Sequence, residues 1–327
     1  MILVFVEHVD GAPTALSLEA LTMGRRLAQE TASPLEAVVI GPVGRSAAGM
    51  LGVYGVGVVH IADDAPLAEY APAAWAQSIV ELVSRVHPAI VVGTGSDRSS
   101  EVMAHVGARL HLPLAANCTA ILPGDSFVVT RQRWGGSLLE DARLHGSIKL
   151  LTIAPHAITA EAATNPTETT ARPWTPAVDA KDYRVRLMPE VAADTGKISL
   201  AQARVVVGGG RGVGSAEGFA ELEELAAALG GTVGCSRAVT SLGWRPHSDQ
   251  VGQTGTRIAP DLYIACGISG AIQHMVGCRA AKHILAINTD ANAPIVTQAD
   301  YAVIGDVHKV LAAVNAHVRK LKAAPVG

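Results

Sequence analysis

The sequence predicts an α/β fold of two domains, each a mostly parallel sheet flanked by helices. Short apolar runs of strand length alternate with segments of helical periodicity, as in right-handed β-α-β units. Hydrophobic residues make up 49% of the chain but aromatic residues only 4%, which favours parallel strands under tightly packed helices over a β-sandwich. At 327 residues the chain is long enough for two domains, each with its own core.

The first part of the chain alternates strand and helix patterns from its second residue. Leu18, Leu21 and Leu27 recur at helical spacing, whereas the apolar runs between helices have strand length. The predicted strands are 2–6, 35–40, 57–61, 89–92, 126–130 and 146–153, and the predicted helices are 16–30, 73–86 and 101–110. Residues 94–100 are either a phosphate-binding loop or a capped helix start, and the residue types favour the capped start.

The pattern degrades between residues 155 and 194, where Ala, Thr, Pro and Glu predominate. This composition is typical of a wrapping segment and linker, with one candidate edge strand at 185–188. The sequence therefore predicts a domain boundary near residue 193, with a first domain at 1–192 and a second at 193–327.

The second domain repeats the alternation and adds glycine-rich turns. The predicted strands are 203–207, 262–265, 284–287 and 302–306, and the predicted helices are 219–229, one that begins after Ser269, and 307–321. Residues 232–237, 251–255 and 289–294 lack either periodicity and are interpreted as loops and a turn. The loops near Gly208, Ser236, Gly267, Asn288 and Asp306 each follow or adjoin a strand, so a parallel sheet would bring them to one edge, where an extended ligand fits.

One glycine-rich turn precedes the helix that contains His274. Gly267 and Gly270 interrupt an apolar strand, and Ser269 could cap the helix that follows. Such a turn aims free N–H groups and the positive end of a helix dipole at one point, which stabilises an anion or an electron-rich ring there. His274 lies within the first two helical turns and could add a donor at the same point.

Arg211 lies inside a second glycine loop, residues 208–212, directly after a strand. A guanidinium can meet a pyrophosphate with two hydrogen bonds, although a solvated surface arginine is the alternative interpretation. The spacing is not the dinucleotide fingerprint, and no acidic residue ends a strand about 20 residues further on, as a Rossmann site requires.

Composition and charge argue against several classes of protein. The formal net charge of −3 and the lack of a basic tract give no reason to expect a nucleic-acid partner. The longest apolar runs have strand length, too short to span a bilayer, and no targeting segment precedes the first strand. The four cysteines lack metal-ligand spacing and fit a reducing compartment. No catalytic or metal-binding residue is predicted, because no nucleophile arrangement or carboxylate pair adjoins the glycine loops.

The run LYIACGISGAIQH at 262–274, with Gly277 and AIN at 286–288, resembles the signature of the electron transfer flavoprotein α-subunit family. The resemblance extends to VGQTG at 251–255, CSR at 235–237 and GGRG at 209–212, and more loosely to VFVEH at 4–8. It covers essentially the whole chain, densely in the last third. Cys266 stands where the family usually has a small apolar residue, and the connection between the domains is rich in Thr and Pro.

The resemblance implies that the second domain binds FAD and that the first packs mainly against a partner subunit. It places Arg211 beside the pyrophosphate and the ring edge, Arg237 beside the flavin ring, and the Thr254 hydroxyl near N5. His274 would donate to the C2 carbonyl, and Asn288 and Asp306 would hold the adenosine end. The positions that the resemblance assigns to the cofactor are Arg211, Ser236, Arg237, Gln250, Val251, Gly252, Gln253, Thr254, Ser269, Gly270, Ala271, Ile272, Gln273, His274, Asn288, Asp306 and Val307.

These positions suit single-electron transfer. The first electron puts negative charge on the N1–C2=O side of a flavin, so a guanidinium, an imidazole donor and a helix N-terminus aimed there stabilise the charge. Raising the first-electron potential relative to the second separates the two steps, which a one-electron shuttle needs and a hydride-transferring dehydrogenase does not.

The resemblance implies a cytoplasmic electron carrier rather than an enzyme. It would form a heterodimer with an electron transfer flavoprotein β-subunit and pass electrons from flavin dehydrogenases, such as the acyl-CoA dehydrogenases of fatty acid β-oxidation, to a membrane quinone oxidoreductase. Two alternatives remain open: a subunit of a bifurcating NADH-linked flavoprotein complex, and a nicotinamide-dependent dehydrogenase. The second would need a ribose-binding acid and a catalytic donor, neither of which is found.

Overall fold

A computed structural model describes residues 1–124, 126–136, 138–187 and 199–323. The chain divides into two compact units, Met1–Val191 and Ala192–Gly327. The domain boundary expected near residue 193 lies outside the described residues.

The first unit is built on one large sheet. Its strands are β1 (Ile2–Val6), β2 (His8–Val9), β3 (Ala12–Pro13), β4 (Leu35–Ile40), β5 (Val58–Ala62), β6 (Ile90–Thr94), β7 (Leu114–Leu122), β8 (Val128–Arg133), β9 (Leu138–Arg143), β10 (Lys149–Ile153) and β11 (Thr170–Trp174), and its helices are α1 (Ala15–Glu30), α2 (Gly44–Leu51), α3 (Pro72–Val86) and α4 (Asp97–Leu110). The sheet order is β11-β5-β4-β1-β6-β10-β7-β8-β9. Its pairs are parallel except β7–β8 and β8–β9, and β2 and β3 form a separate hairpin.

Strand β1 shows how the sheet is covered on both faces. Its residues are all fully buried, and because alternate side chains of a strand point to opposite faces they divide between two cores. Ile2, Val4 and Val6 join the core that contains residues of α1 and α2, whereas Leu3 and Phe5 join the core that contains residues of α3 and α4. This two-sided burial explains the continuous apolar run of the sequence.

Some elements of the first unit differ from the sequence prediction. Helix α2 and strands β7 and β9 were not predicted, and β11 lies inside the stretch interpreted as a linker. Strand β11 pairs with β5 at the edge of the sheet, is largely exposed and contains Pro173, so it lacks the buried alternation that identifies a strand. Residues 185–187 are not a strand, and Met188 lies outside the described residues.

The capped-helix interpretation of residues 94–100 is confirmed. Ser96 is the N-cap of α4, and its hydroxyl accepts a hydrogen bond from the Ser99 N–H at 3.0 Å. The Glu7 carboxylate accepts from the hydroxyls of both Thr94 and Ser96 at 2.6 Å. A carboxylate therefore binds the hydroxyl groups that a phosphate would need.

The second unit is a five-stranded parallel sheet with helices on both faces. Its strands are β12 (Val205–Gly209), β13 (Thr232–Cys235), β14 (Leu262–Cys266), β15 (His283–Asn288) and β16 (Tyr301–Ile304), and its helices are α5 (Phe219–Leu229), α6 (Arg237–Ser241), α7 (Ile272–Cys278), α8 (Pro294–Gln298) and α9 (Val307–Ala323). The strand order is β13-β12-β14-β15-β16, and every neighbouring pair is parallel. The α/β fold class with mostly parallel sheets is thus confirmed.

Two predictions in the second unit were wrong in detail. Residues 232–237 are not a loop but strand β13 followed by the start of α6, because a four-residue strand is too short to show a period. The turn predicted at 289–294 is present, and α8 begins at its last residue. The N-cap of α7 is Ala271, without a side-chain hydrogen bond, so Ser269 does not cap the helix.

Candidate functional site

The sheet of the second unit has a switch point between β12 and β14. The chain passes from β12 through α5 to β13 on one side and then returns to β14 on the other side of β12. In open α/β sheets, ligands bind at the carboxyl ends of the strands where the strand order reverses in this way.

Two glycine-rich loops meet at this switch point. The N–H of Gly210 donates to the Cys266 carbonyl at 2.8 Å, and the N–H of Gly212 donates to the Gly267 carbonyl at 3.0 Å. A Cβ added to Gly210 would lie 2.2 Å from the Gly267 oxygen, so a side chain there would force the loops apart. Gly267 also has a φ of +62°, which glycine adopts without strain.

A cavity of about 800 Å³ lies at this edge of the sheet, within the size range of small-molecule and cofactor sites. Most of the positions predicted for the cofactor line it: Arg211, Ser236, Arg237, Gln250, Val251, Gly252, Gln253, Thr254, Ser269, Ala271, Gln273, His274 and Asn288. Segments that are distant in the sequence are therefore brought to one place.

Two guanidinium groups line the cavity without an ion-pair partner among the described residues. The side chains of Arg211 and Arg237 are exposed, and neither makes an ion pair or a side-chain hydrogen bond within the described part of the chain. By contrast, Arg245 in the same unit is held by Glu223 and by Asp249. The arginines at the cavity are thus available to an anionic ligand, and the carboxylate among the lining residues belongs to Asp290.

His274 is buried at 7% exposure, and its Nε2 lies 2.8 Å from the Tyr263 hydroxyl. Its Nδ1 is also buried and has no hydrogen-bond partner among the described residues. Burial lowers the pKa of His274 to about 4 and outweighs a smaller interaction with the Val251 backbone, which raises the pKa. The ring is therefore neutral at pH 7. An unpaired buried nitrogen costs about 1–3 kcal/mol, and such an atom in the wall of a cavity indicates a ligand-binding role for the residue.

The loop that contains Thr254 is fixed to its surroundings by Gln250. The Gln250 side chain is 2% exposed, and its amide lies 2.8 Å from the Thr240 hydroxyl and 2.9 Å from the Thr254 hydroxyl. The loop also rests on α7, because the Gln253 N–H donates to the Gln273 carbonyl at 2.7 Å. Thr254 is an exposed residue, and the buried amide of Gln250 holds its hydroxyl at the cavity.

Asn288 holds the end of β15 against the neighbouring loop. Its amide nitrogen donates to the Ile268 carbonyl at 2.9 Å, and its amide oxygen accepts from the Asp290 N–H at 3.0 Å. Asn288 is therefore a structural element of the cavity wall, in addition to the role at the adenosine end that the sequence predicts.

Four predicted residues lie away from the cavity lining. Gly270 makes close backbone contact with α8, since its Cβ would lie 2.3 Å from the Ile295 nitrogen. Ile272 is 67% exposed. Asp306 accepts a hydrogen bond from the Lys309 N–H at 3.1 Å at the start of α9, and Val307 is buried in the core that contains α5 and α9.

Sequence reasoning missed several lining residues: Gly212, Ala238, Ser241, Gly267, Ile268, Asp290 and Ala293. Each lies within five positions of a predicted site residue. Asp290 follows Asn288 by two residues. The rule that ligands bind where parallel strands end, here called the strand-end rule, identified Asn288 and covers Asp290 as well.

The residues that the structure describes contain neither a candidate metal site nor a candidate membrane-spanning helix. No group of three or more His, Cys, Asp or Glu side chains is arranged to hold a metal ion. None of the helices there has the length and hydropathy needed to cross a bilayer.

The lining residues fit a dinucleotide cofactor. Unpaired guanidiniums suit a pyrophosphate, glycine loops let the main chain approach it closely, and a neutral imidazole with an unpaired nitrogen suits a polar ring. The fold and the cavity therefore define a protein that binds a nucleotide cofactor at the switch point of a parallel sheet.

Comparisons with known proteins identify the family. The family described as electron transfer flavoprotein domain matches residues 2–180, and the one described as electron transfer flavoprotein FAD-binding domain matches residues 199–279. Similar proteins include Protein FixB of Clostridium saccharobutylicum (34% identical, 97% of this chain and 96% of the relative). They also include electron transfer flavoprotein subunit alpha of Clostridium acetobutylicum (35% identical, 97% and 96%) and of Mycobacterium leprae (35% identical, 94% and 95%).

The chain belongs to the electron transfer flavoprotein α-subunit family, and FAD is its cofactor. Both family matches fall within the range that the sequence resemblance covers.

Proposed function

We propose that this chain carries electrons one at a time between a flavin dehydrogenase and a quinone oxidoreductase, through FAD held at the switch point of its second domain. The observation that carries the proposal is the cavity in which two unpaired guanidiniums and a neutral, buried imidazole meet. Such an environment favours added negative charge on a bound ring, because fixed positive groups stabilise that charge in a site from which water is partly excluded. The chain itself performs no substrate chemistry; the redox chemistry is that of FAD.

Each lining segment has a proposed role. Arg211, in the glycine loop after β12, binds the pyrophosphate, and Arg237 stabilises negative charge on the flavin ring. Thr254 donates to N5, and His274 donates to the C2 carbonyl. Asn288 shapes the wall at the adenosine end.

In this proposal the two domains have different roles. Residues 193–327 hold FAD, whereas residues 1–192 pack mainly against an electron transfer flavoprotein β-subunit. Acyl-CoA dehydrogenases are the proposed electron donors. The lining cations remain exposed in this chain, which is consistent with a partner that helps to close the site.

The test is to co-express the chain with the product of the neighbouring coding sequence, purify the complex and extract its cofactor. We expect a stable pair of chains with one FAD in the α-subunit site. An acyl-CoA dehydrogenase with its substrate should bleach the visible flavin band, and NADH alone should not. The matched control is the complex with Arg211→Ala, which should purify with less FAD.

Two outcomes would contradict the proposal. A colourless complex would refute FAD as the working cofactor in this pair. Rapid reduction by NADH would instead support the bifurcating, NADH-linked alternative or a nicotinamide-dependent dehydrogenase.

A further inference from the structure

Tyr263 lies in β14, the central strand of the second sheet, with its side chain fully buried. Its hydroxyl lies 2.8 Å from Nε2 of His274, and no other hydrogen bond to that hydroxyl occurs among the described residues. A Cβ added to Gly208 would lie 2.3 Å from the same hydroxyl. The tip of the tyrosine is therefore packed against the neighbouring strand and cannot turn to another partner without moving it.

Both members of the pair are neutral at physiological pH. Burial raises the pKa of Tyr263 well above its ordinary value, and burial lowers the pKa of His274 to about 4. The phenol therefore keeps its proton, and the imidazole carries one proton on either Nδ1 or Nε2.

The hydrogen bond decides between the two tautomers. If Nε2 carried the proton, it would donate to the Tyr263 oxygen, and the phenol proton would have no acceptor in a fully buried site. If Nδ1 carries the proton, the phenol donates to a bare Nε2, and the Nδ1–H is the one group of the pair without a partner among the described residues. The first tautomer leaves two buried groups unpaired, the phenol proton and Nδ1, and the second leaves one; since each unpaired buried polar group is unfavourable, the second tautomer is the more stable one.

We propose that Tyr263 is a positioning residue that fixes His274 as the tautomer protonated on Nδ1, so that the imidazole meets a ligand only as a hydrogen-bond donor. The Nδ1 atom is the ring nitrogen without a partner among the described residues, and His274 lines the cavity. The consequence for the flavin rests on the proposed function: a donor, rather than a lone pair, is presented to the carbonyl side of the ring, where reduction adds negative charge. Tyr263 itself does not line the cavity and acts through His274.

The first experiment measures the tautomer in the full chain without FAD. Histidine labelled with ¹⁵N distinguishes protonated from bare ring nitrogens by chemical shift, and the His274→Gln variant identifies the signals of His274 among those of the twelve histidines. We expect Nδ1 protonated and Nε2 bare. In Tyr263→Phe, which keeps the ring and removes the donor, the ratio of the two tautomers should shift by about tenfold towards Nε2–H. Tyr70→Phe, which removes a hydroxyl bonded to Glu101, should leave the signals unchanged.

A bare Nδ1 in the native chain would overturn the proposal, even if Tyr263→Phe failed to fold. Tautomer signals in Tyr263→Phe that match the native ones would overturn it as well.

The second experiment compares the FAD-loaded complexes. Tyr263→Phe should lower the first-electron potential of the flavin while FAD affinity changes by no more than about tenfold. An unchanged potential together with a shifted tautomer would overturn the link to the flavin. Failure of the native complex to bind FAD would instead refute the proposed function, and the tautomer measurement would still decide the role of Tyr263.

Discussion

Arg211 and Arg237 line the same cavity but have different surroundings. Arg211 follows β12 within a glycine loop that contacts the loop after β14, whereas Arg237 is the first residue of the short helix α6. Arg211 lies in the glycine loop at the switch point, which suits a cofactor's pyrophosphate, whereas Arg237 lies beyond β13 on a separate segment of the lining. We therefore assign affinity mainly to Arg211 and redox tuning mainly to Arg237.

Arg211→Ala should weaken FAD binding, because a charge-assisted hydrogen bond to the pyrophosphate is lost. An exposed guanidinium in partial contact with solvent contributes about 1.5 kcal/mol in such a bond, or roughly tenfold in the dissociation constant. Fluorescence titration of the purified complex measures this change. Arg204→Ala is the matched control, since Arg204 precedes β12 at the opposite end of the strand and pairs with Asp261; equal loss of affinity in both variants would contradict the assignment.

His274 should make the stability of the chain depend on pH. The folded state lowers its pKa from 6.5 to about 4, so between these values the unfolded state binds more protons and the free energy of unfolding rises with pH. The contribution is fully present above about pH 6.5 and is lost as pH falls towards 4, with a total of about 3 kcal/mol. Urea unfolding of the FAD-free chain at several pH values measures it, and His274→Gln should remove that part of the slope. Identical slopes in the two proteins would show that the ring is not held neutral.

At the scale of elements, the meeting of the two glycine loops shapes the cavity. The N–H groups of Gly210 and Gly212, in the loop after β12, donate to the carbonyls of Cys266 and Gly267 at the end of β14 and just after it. This contact leaves no space for a side chain. The cavity wall thus depends on main-chain atoms that only glycine allows to approach so closely.

Gly210→Ala should separate these loops and reduce FAD binding. The new Cβ would meet backbone atoms rather than a flexible side chain, so the strain cannot be relieved by a rotamer change, and we expect a destabilisation of about 1–3 kcal/mol. Thermal unfolding and FAD content of the purified complex are the measurements. Gly49→Ala in α2, where a Cβ meets nothing within 4 Å, should be neutral or stabilise by up to about 1 kcal/mol. Full FAD content in Gly210→Ala would contradict the proposed importance of the contact.

The elements that the sequence predicts well are those with a buried period. Strand β1, strand β4 and helix α5 have their predicted bounds, because two-sided burial and the glycine after α5 leave clear signals. Gly230, in the left-handed conformation with a φ of +66°, is the C-cap of α5. The sequence could not reveal β11 or β13, since an exposed edge strand and a four-residue strand show no hydrophobic alternation.

For the candidate site, position at a strand end was more informative than residue type. The strand-end rule placed Arg211, Ser236 and Asn288 at the cavity. It could not show that Tyr263, an apparent core residue of β14, bonds to His274, because that contact depends on the packing of α7 against the sheet. Nor could it separate Asp306, which directly precedes α9, from residues that line the cavity.

At the scale of the whole molecule, each unit has its own sheet and its own pair of cores. We expect a chain that ends at residue 192 to fold without binding FAD, because all the residues that line the cavity belong to the second unit. Circular dichroism would report its fold and cofactor extraction its flavin content. Stoichiometric FAD in this fragment would contradict the assignment of FAD binding to residues 193–327.

The most direct test of the central claim is a spectroelectrochemical titration of the purified complex with its β-subunit, before and after Arg237→Ala. We expect the flavin of the native complex to take up two electrons in two resolved one-electron steps. Arg237→Ala should lower the first potential and bring the steps together, while FAD remains bound. A single two-electron step in the native complex, or identical titrations of the two proteins, would contradict the claim that this cationic cavity adapts the flavin to single-electron transfer.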